Sequence, residues 1–437
     1  MLRGGALVLH GPCTPVRRSR DGSLAVAMVA GAAEIRARPS DEAHSRDVES
    51  LRAPGCTPPP DTARLSAWPC DSLARVALRV SHGEALTTTP HTAPAPDPTR
   101  GASKLETGRV GARILGTGSD LPAEVRTNDD LARTIDTSDE WIRSRTGIRA
   151  RRIAGPEDKT SDMARRAAQR ALEAAGLTGR DLDTIIVATV TPDRPLPSTA
   201  TLVHHQLGAR TRCAAFDLAA ACGGFCYGLS LARAQIESGL ARHVLVVGVE
   251  LLSRIVDWKD RGTCVLFGDG AGAVVLGPTT EGSTGRLLAT SLGVDGSLTE
   301  SLTVLAGGSE EPTSADSVAA GRHYVKMNGQ EVFKAAVKYL SEVSARSLEE
   351  AGLAADAIDW IVPHQANQRI LEGVAGRLGI GTERMVLNLE RYGNTSSASI
   401  PIALDEAVRD GRIQPGQHLL FCALGAGVAF GAAVVRW

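Results

Sequence analysis

What most restricts the fold open to this chain is that part of it occurs twice. Ala175-Gly176-Leu177, followed by Asp183 and Ile185, returns without a gap as Ala351-Gly352-Leu353, followed by Asp359 and Ile361, at an offset of 176 residues. Further along, Arg242-His243-Val244-Leu245 is echoed by Gln417-His418-Leu419-Leu420 at an offset of 175. One short apolar match could arise by chance, but two in the same order at nearly one spacing point to an ancient duplication. Each copy reads as helix, AGL turn and apolar strand. In the first, Ala164, Ala167, Ala168, Ala171, Leu172 and Ala175 fall on one helical face, Ser161 is placed to N-cap that helix, and Gly176 ends it. Residues 184–190 then form a continuous apolar strand, and 244–249 another. Uninterrupted apolar strands between helices predict a sheet covered on both faces. Two such halves packed together predict a duplicated α/β fold in five layers, αβαβα, with a first half over 107–280 and a second over 281–437. A site between them would draw residues from both.

Residues 1–106 follow a different rule. They are rich in Pro, Arg, Ala, Ser and Thr, and segments such as Pro58-Pro59-Pro60 and residues 87–98 read as extended or disordered chain. Arg17, Arg18 and Arg20 before the short apolar stretch 24–33 outline a targeting segment, against two plainer readings: a disordered leader, or an upstream region included by a misplaced start. Over the whole chain a formal net charge of -1 supplies no field favouring nucleic acid or an anionic membrane. The longest apolar run, 419–435, is interrupted by Gly425, Gly427 and Gly431. It reads as two buried strands about a glycine turn, since a membrane helix needs about 20 apolar residues. The cysteines at 13, 56, 70, 213, 222, 226, 264 and 422 form no Cys-x-x-Cys pair or zinc-type cluster, so no metal is expected. A chain of this length builds a core without disulfides, and reduced cytoplasmic thiols fit best.

Three places carry chemistry. Cys222 stands between an apolar strand end, Ala214 to Ala221, and a helix through Tyr227, Leu229, Leu231 and Ile236. Near a helix N-terminus the amide dipoles lower a thiol pKa and favour thiolate, and small neighbours let backbone N–H groups face an oxyanion. A buried structural cysteine at a glycine turn explains the spacing equally well. The matching position in the second half is Asn394, in the turn Gly393 to Ser397, which could donate to an oxyanion or simply cap the following helix. His364 ends the repeated strand, where open α/β sheets place ligands. His204 and His205 lie inside a helical pattern and read as filler.

Taken together these segments resemble the thiolase superfamily, most closely β-ketoacyl-acyl-carrier-protein synthase III. The resemblance covers residues 110 to 437 and rests on five motifs in order: DEWIRSRTGI (139–148), DLAAACGGF (217–225), DRGTCVLFGDGAGAVVL (260–276), HQANQRI (364–370) and GNTSSAS (393–399). It implies an acyltransferase that starts fatty-acid or polyketide-type chains by decarboxylative condensation of an acyl-CoA primer with malonyl-acyl carrier protein. Cys222 would carry the acyl group, and His364 with Asn394 would hydrogen-bond the malonyl thioester oxygen. The backbone N–H groups of Cys222 and Ala426 would hold the second oxyanion. Trp141 and Arg261 match positions that sandwich the coenzyme A adenine, Arg145 one at its phosphate end, and Asn367 one at the pantetheine arm. Arg369 resembles a residue that docks the carrier protein, while Phe267, Met327, Gly329 and Phe333 match an acyl tunnel. No tightly bound cofactor is implied, only acyl-CoA and phosphopantetheine-carrier substrates, and a homodimer is.

Two departures bear on the primer. Leu196 stands before Pro197-Ser198, where the family's dimer-contributed pocket wall has Phe, and one residue is inserted between Ser198 and Cys222. The C-terminal turn reads LGAG in place of three glycines. A thiolase would place a second-half His where Asn394 stands, and use a second cysteine that Cys422, inside a strand pattern, does not supply. A pathway-specific acyltransferase with a non-malonyl acceptor stays open on the Cys–His–Asn set. A non-catalytic scaffold would usually lose the nucleophile, and an unrelated cysteine hydrolase would lack the duplication.

Overall fold

The two repeated stretches recur at one spacing because they are bonded to each other. In the computed structural model, which describes residues 110–437, the Asp183 carboxylate accepts from the backbone N–H of Arg242 at 2.9 Å and of His243 at 3.2 Å, and Asp183 N donates to His243 O at 2.9 Å. The second copy repeats this. Asp359 accepts from His418 N at 2.7 Å, and Asp359 N donates to His418 O at 3.0 Å. An aspartate ahead of one strand thus pins the entry of its neighbour, each bond worth on the order of 1 kcal/mol. The extension expected over 1–106 lies outside the described residues.

The first half contributes β1 (Ala112–Asp120), β2 (Thr184–Ala188), β3 (Ala214–Leu218), β4 (Val244–Glu250) and β5 (Gly270–Pro278). The second contributes β6 (Arg286–Val294), β7 (Trp360–Pro363), β8 (His418–Gly425) and β9 (Ala429–Arg436). Hydrogen bonding orders them β7-β8-β9-β6-β1-β5-β4-β2-β3. Parallel β2–β4, antiparallel β4–β5 and antiparallel β5–β1 reappear as β7–β8, β8–β9 and β9–β6. Even β3 has a trace of a counterpart, the isolated parallel bridge between Ile361 and Met385. A single register pair, Arg113 with Arg286, joins the two sets, so each behaves as a sheet of its own.

Five helices build the layers around these sheets, α1 to α5 being Thr160–Ala175, Gly224–Glu237, Gly329–Ala351, Gln368–Leu378 and Ser399–Arg409. Helix α1 covers β1 and β5, and α3 covers β6, β8 and β9. Between the sheets, α2 touches β4 on one side and β6 and β9 on the other, and α5 touches β1 and β5 as well as β7. The order is αβαβα, as the duplication predicts. Phe225, Leu229, Leu404 and Phe421 are wholly buried in the central layer, and each such side chain stabilises by about 1.5–3 kcal/mol. The same layer that fuses the halves therefore brings the start of α2 beside the start of α5.

Local expectations hold with two corrections. Gly176 and Gly352 both cap their helices in the left-handed conformation, at φ 66° and 68°. Helix α1 begins at Thr160, and Ser161 is its second residue rather than its cap. Asp193, distant in sequence, accepts from Ser161 N at 3.0 Å and from its hydroxyl at 2.7 Å, and so supplies the cap. Strand β2 stops at Ala188, short of 190, because Thr189, Val190 and Thr191 turn toward the buried carboxylate of Glu250. The apolar run 419–435 is β8 and β9 paired about a turn at Ala426–Val428. Among the described residues no helix is long and apolar enough to cross a membrane.

Candidate active site

Cys222 sits in a short turn, Ala221–Gly223, between β3 and α2. Ala221 holds φ 44°, in the left-handed region, a conformation that costs a non-glycine residue about 1–3 kcal/mol and clusters at functional sites. The C-terminal turn packs directly on the nucleophile. A Cβ at Gly425 would overlap the Cys222 amide nitrogen and lie 2.9 Å from Ala221 Cβ and 3.0 Å from Cys222 Cβ. Glycine is required there for close approach, since its φ of -141° suits any residue.

The second half delivers its groups by the same logic. His364 follows β7, its backbone N donates to Cys422 O at 2.8 Å, and its side chain is buried. Its Nδ1 lies 2.7 Å from Ser399 Oγ, and the Ser399 hydroxyl donates to Ser396 O at 2.8 Å. With that hydroxyl proton committed, Nδ1 must be the donor, which leaves Nε2 as the ring's free lone pair. The backbone of Asn394 is tied to the loop before β5, N to Leu266 O at 2.8 Å and O to Gly268 N at 3.0 Å. Its Oδ1 accepts from Ser396 N at 2.8 Å. That bond settles which way the amide faces and leaves the Nδ2 hydrogens uncommitted.

Cys222, His364 and Asn394 line one narrow cavity of about 140 Å³, together with Phe267, Met327 and Phe333. Outward, through Gly329, Phe333 and Asn367, this neck shares walls with a cavity of about 660 Å³ that carries Trp141, Arg145, Arg261 and Arg369. On its other side, through Cys222, Phe267 and Leu302, it meets an apolar cavity of about 700 Å³ lined also by Leu252, Val325 and Ala426, and open along Val294 and Val304. A basic, aromatic mouth thus leads through a mostly apolar neck, which carries the reactive groups of Cys222, His364 and Asn394, to an apolar chamber.

Electrostatics overturn the expectation of a lowered thiol. Burial pushes Cys222 up to about 12, the Glu250 carboxylate pushes the same way, and the Ser396 hydroxyl beside the sulfur opposes both. Full desolvation of the thiolate outweighs the few amide dipoles of a turn. Burial also depresses His364 to about 4, opposed by the Ser396 carbonyl. At neutral pH the resting site therefore holds a thiol and a neutral imidazole.

Family models described as 3-Oxoacyl-[acyl-carrier-protein (ACP)] synthase III and its C-terminal part match residues 216–296 and 348–437. The chain is 53% identical over 324 residues to Beta-ketoacyl-[acyl-carrier-protein] synthase III of Symbiobacterium thermophilum, a match covering 74% of this chain and 97% of that protein. It belongs to the 3-oxoacyl-[acyl-carrier-protein] synthase III family. The synthase III of Neisseria meningitidis serogroup A is 51% identical over 75% of this chain and 99% of its own length. The crystal structure of 3-oxoacyl-[acyl-carrier-protein] synthase III from Aquifex aeolicus superposes with a TM-score of 0.69 and 46% identity, over 75% of this chain and 100% of that one.

Among the residues the synthase III resemblance singled out, most share the path from mouth to chamber. Two details differ. Trp141 already has the Arg145 and Arg261 guanidinium groups over its ring, at 4.6 and 4.7 Å from the centroid, and Arg261 also donates to Asp136 O at 2.7 Å. An adenine between Trp141 and Arg261 requires Arg261 to swing away. Met327, Gly329 and Phe333 line the neck rather than the inner chamber. Leu196 is 84% exposed, a surface position compatible with the wall that the resemblance assigns to a second copy. Asn367 N-caps α4, Oδ1 accepting from Arg369 N at 2.9 Å, and gives one amide hydrogen to Arg145 O at 3.0 Å, so one remains for a ligand. The sequence reading passed over Glu250 and Ser396. Neither position announces itself: one ends an apolar strand, the other is one of five residues in the turn Gly393 to Ser397.

Proposed function

We propose that this chain is a β-ketoacyl-[acyl-carrier-protein] synthase III that joins an acyl-CoA primer to malonyl-acyl carrier protein. The observation that carries the reading is one neck, lined by Cys222, His364 and Asn394, between a Trp–Arg mouth and an apolar chamber. Acyl-CoA enters with its adenine at Trp141, Arg145 and Arg261, and its acyl chain runs past Phe267 into the chamber. The sulfur of Cys222 attacks the thioester carbonyl, and CoA leaves. Malonyl-carrier protein then docks at Arg369 with its phosphopantetheine arm beside Asn367. As CO₂ departs, charge develops on the malonyl thioester oxygen, where Asn394 Nδ2–H donates. Such a donor is worth about 10²–10³ in rate. His364 is the second donor in its other neutral tautomer, with the ring proton on Nε2 and the Ser399 hydroxyl turned to donate to Nδ1. The carbanion attacks acyl-Cys222, the oxyanion meets the backbone N–H groups of Cys222 and Ala426, and the 3-oxoacyl product leaves as the sulfur is released. Coenzyme A and the carrier arm act as substrates, with no resident cofactor.

A homodimer belongs to this reading. Leu196, at 84% exposure, and Val294, at 67% and on the chamber wall, present apolar surface that a second copy would cover. The chain would act in the cytoplasm, where both substrates are found.

Incubation with a panel of acyl-CoA primers and malonyl-carrier protein tests the proposal, using wild type and Cys222→Ser. Expected are acylation at Cys222 and a 3-oxoacyl product from wild type only. A wild type that forms neither with any primer defeats it.

A further inference from the structure

Ser396 is bonded toward all three reactive side chains at once. It holds φ 50°, in the left-handed region. Its N–H fixes the Asn394 amide, its carbonyl accepts from the Ser399 hydroxyl that binds His364, and its own side chain lines the same cavity as Cys222, near enough to act on the thiol. That hydroxyl donates to Glu250 Oε1 at 3.1 Å. Glu250 ends β4 and is wholly buried. It also accepts from Thr191 Oγ1 at 2.7 Å, Thr189 Oγ1 at 3.3 Å, Val190 N at 3.2 Å and Ser397 Oγ at 3.4 Å. These partners are all neutral, and no lysine or arginine among the described residues forms an ion pair with it. The titratable groups facing it are Cys222 and, across Ser396, His364. A buried carboxylate held by neutral donors alone, behind a nucleophile in a cleft, is a candidate for proton exchange.

We propose, on the reading of Cys222 as the acylated nucleophile, that Glu250 accepts the Cys222 thiol proton through the Ser396 hydroxyl and stores it while the acyl-enzyme lives. As the new carbon–sulfur bond forms, the thiol proton passes to Ser396 Oγ and the Ser396 hydroxyl proton passes to Glu250 Oε1. The tetrahedral adduct then breaks its bond to the CoA sulfur, which leaves as thiolate and is protonated in water. When condensation expels the Cys222 thiolate, the stored proton returns by the same path. Charge balances throughout, since the pocket loses one negative charge at Glu250 for the one that appears on sulfur. Release of the thiol proton to solvent would instead leave thiolate and carboxylate side by side in a desolvated site. Burial raises Glu250 to about 7 and lowers His364 to about 4, so the carboxylate is the stronger base of the two.

The decisive measurement needs no acyl donor. Alkylation of Cys222 by iodoacetamide in the full chain is followed by mass spectrometry from pH 5.5 to 9, for wild type, Glu250→Gln and Ser396→Ala, with a thermal melt to verify folding. The wild-type rate should climb through an ionisation near 7. Both variants should lose that step and react at least tenfold more slowly at pH 8, the low end of what a general base contributes. If Glu250 were merely a neighbouring negative charge, Glu250→Gln would favour thiolate and speed alkylation, and that result overturns the proposal, as does an unchanged profile. Should Glu250→Gln fail to fold, Ser396→Ala decides by the pH step alone, since losing the Ser396 hydroxyl slows alkylation on either reading and only the relay also removes the rise near 7; a retained rise overturns the proposal. A wild type that shows the pH step but takes no acyl group from acyl-CoA leaves the proton route standing and removes the synthase reading.

Discussion

Gly425→Ala should damage the nucleophile while leaving the rest of the fold intact. The added methyl would sit 2.9 Å from Ala221 Cβ and 3.0 Å from Cys222 Cβ, and would overlap the Cys222 amide nitrogen. Carbon contacts settle near 3.5 Å, so on those two contacts alone the turn bearing Cys222 and the end of β8 must separate by at least roughly 0.6 Å, and the overlap with the amide nitrogen demands more. Both sides are backbone or Cβ atoms, and Ala221 is already strained at φ 44°, so neither yields freely. Overpacking of this kind costs about 1–3 kcal/mol. A displacement of about 1 Å at a reacting centre lowers rates on the order of 10²-fold, so 0.6 Å should give roughly 10- to 100-fold. Guanidinium unfolding measures the first quantity, and mass-spectrometric acylation of Cys222 the second. Gly376→Ala is the control. That glycine lies within α4 with nothing inside 4 Å of the added methyl, so the change should stabilise by about 0.5–1 kcal/mol and leave acylation alone. Wild-type stability and acylation in Gly425→Ala would refute the packing argument.

Three other outcomes follow from the same geometry. Glu250 is raised on folding from 4.5 to about 7, so its contribution is present below pH 4.5 and is lost as pH rises through 7, by about 3 kcal/mol. His364 is lowered from 6.5 to about 4, so its contribution is present above pH 6.5 and is lost as pH falls through 4. The two slopes oppose each other between pH 4.5 and 6.5, and Glu250→Gln should expose the His364 slope as stability rising with pH in denaturant titrations. A pH dependence in that variant no different from wild type would contradict the burial of either group. Asn394→Ala should slow malonyl decarboxylation about 10²-fold while acylation of Cys222 proceeds, read from CO₂ release against acyl-enzyme formation. Arg261→Ala should raise KM for acyl-CoA several-fold with little change in kcat, and equal losses in both would mean that Arg261 does more than hold the nucleotide.

Periodicity and short-range bonding carry the information that a linear chain displays. The alanine face of α1, the glycines that stop α1 and α3 and the cores of the apolar strands are local patterns, the duplication repeats them, and the structure contains them all, with the strand read over 184–190 ending at Ala188. Cys222, His364 and Asn394 could each be placed at the end of a strand or the start of a helix for the same reason. What no local pattern encodes is desolvation. The thiol of Cys222 was expected low from the helix beside it and is driven up to about 12, because strands and turns from both halves seal it from water. The Glu250–Ser396 connection joins residues 146 positions apart, and the capping of Ser161 by Asp193 spans 32. Hydrogen-bond partners and dielectric surroundings are set by whatever the fold brings within a few ångströms, and only the packed halves decide that.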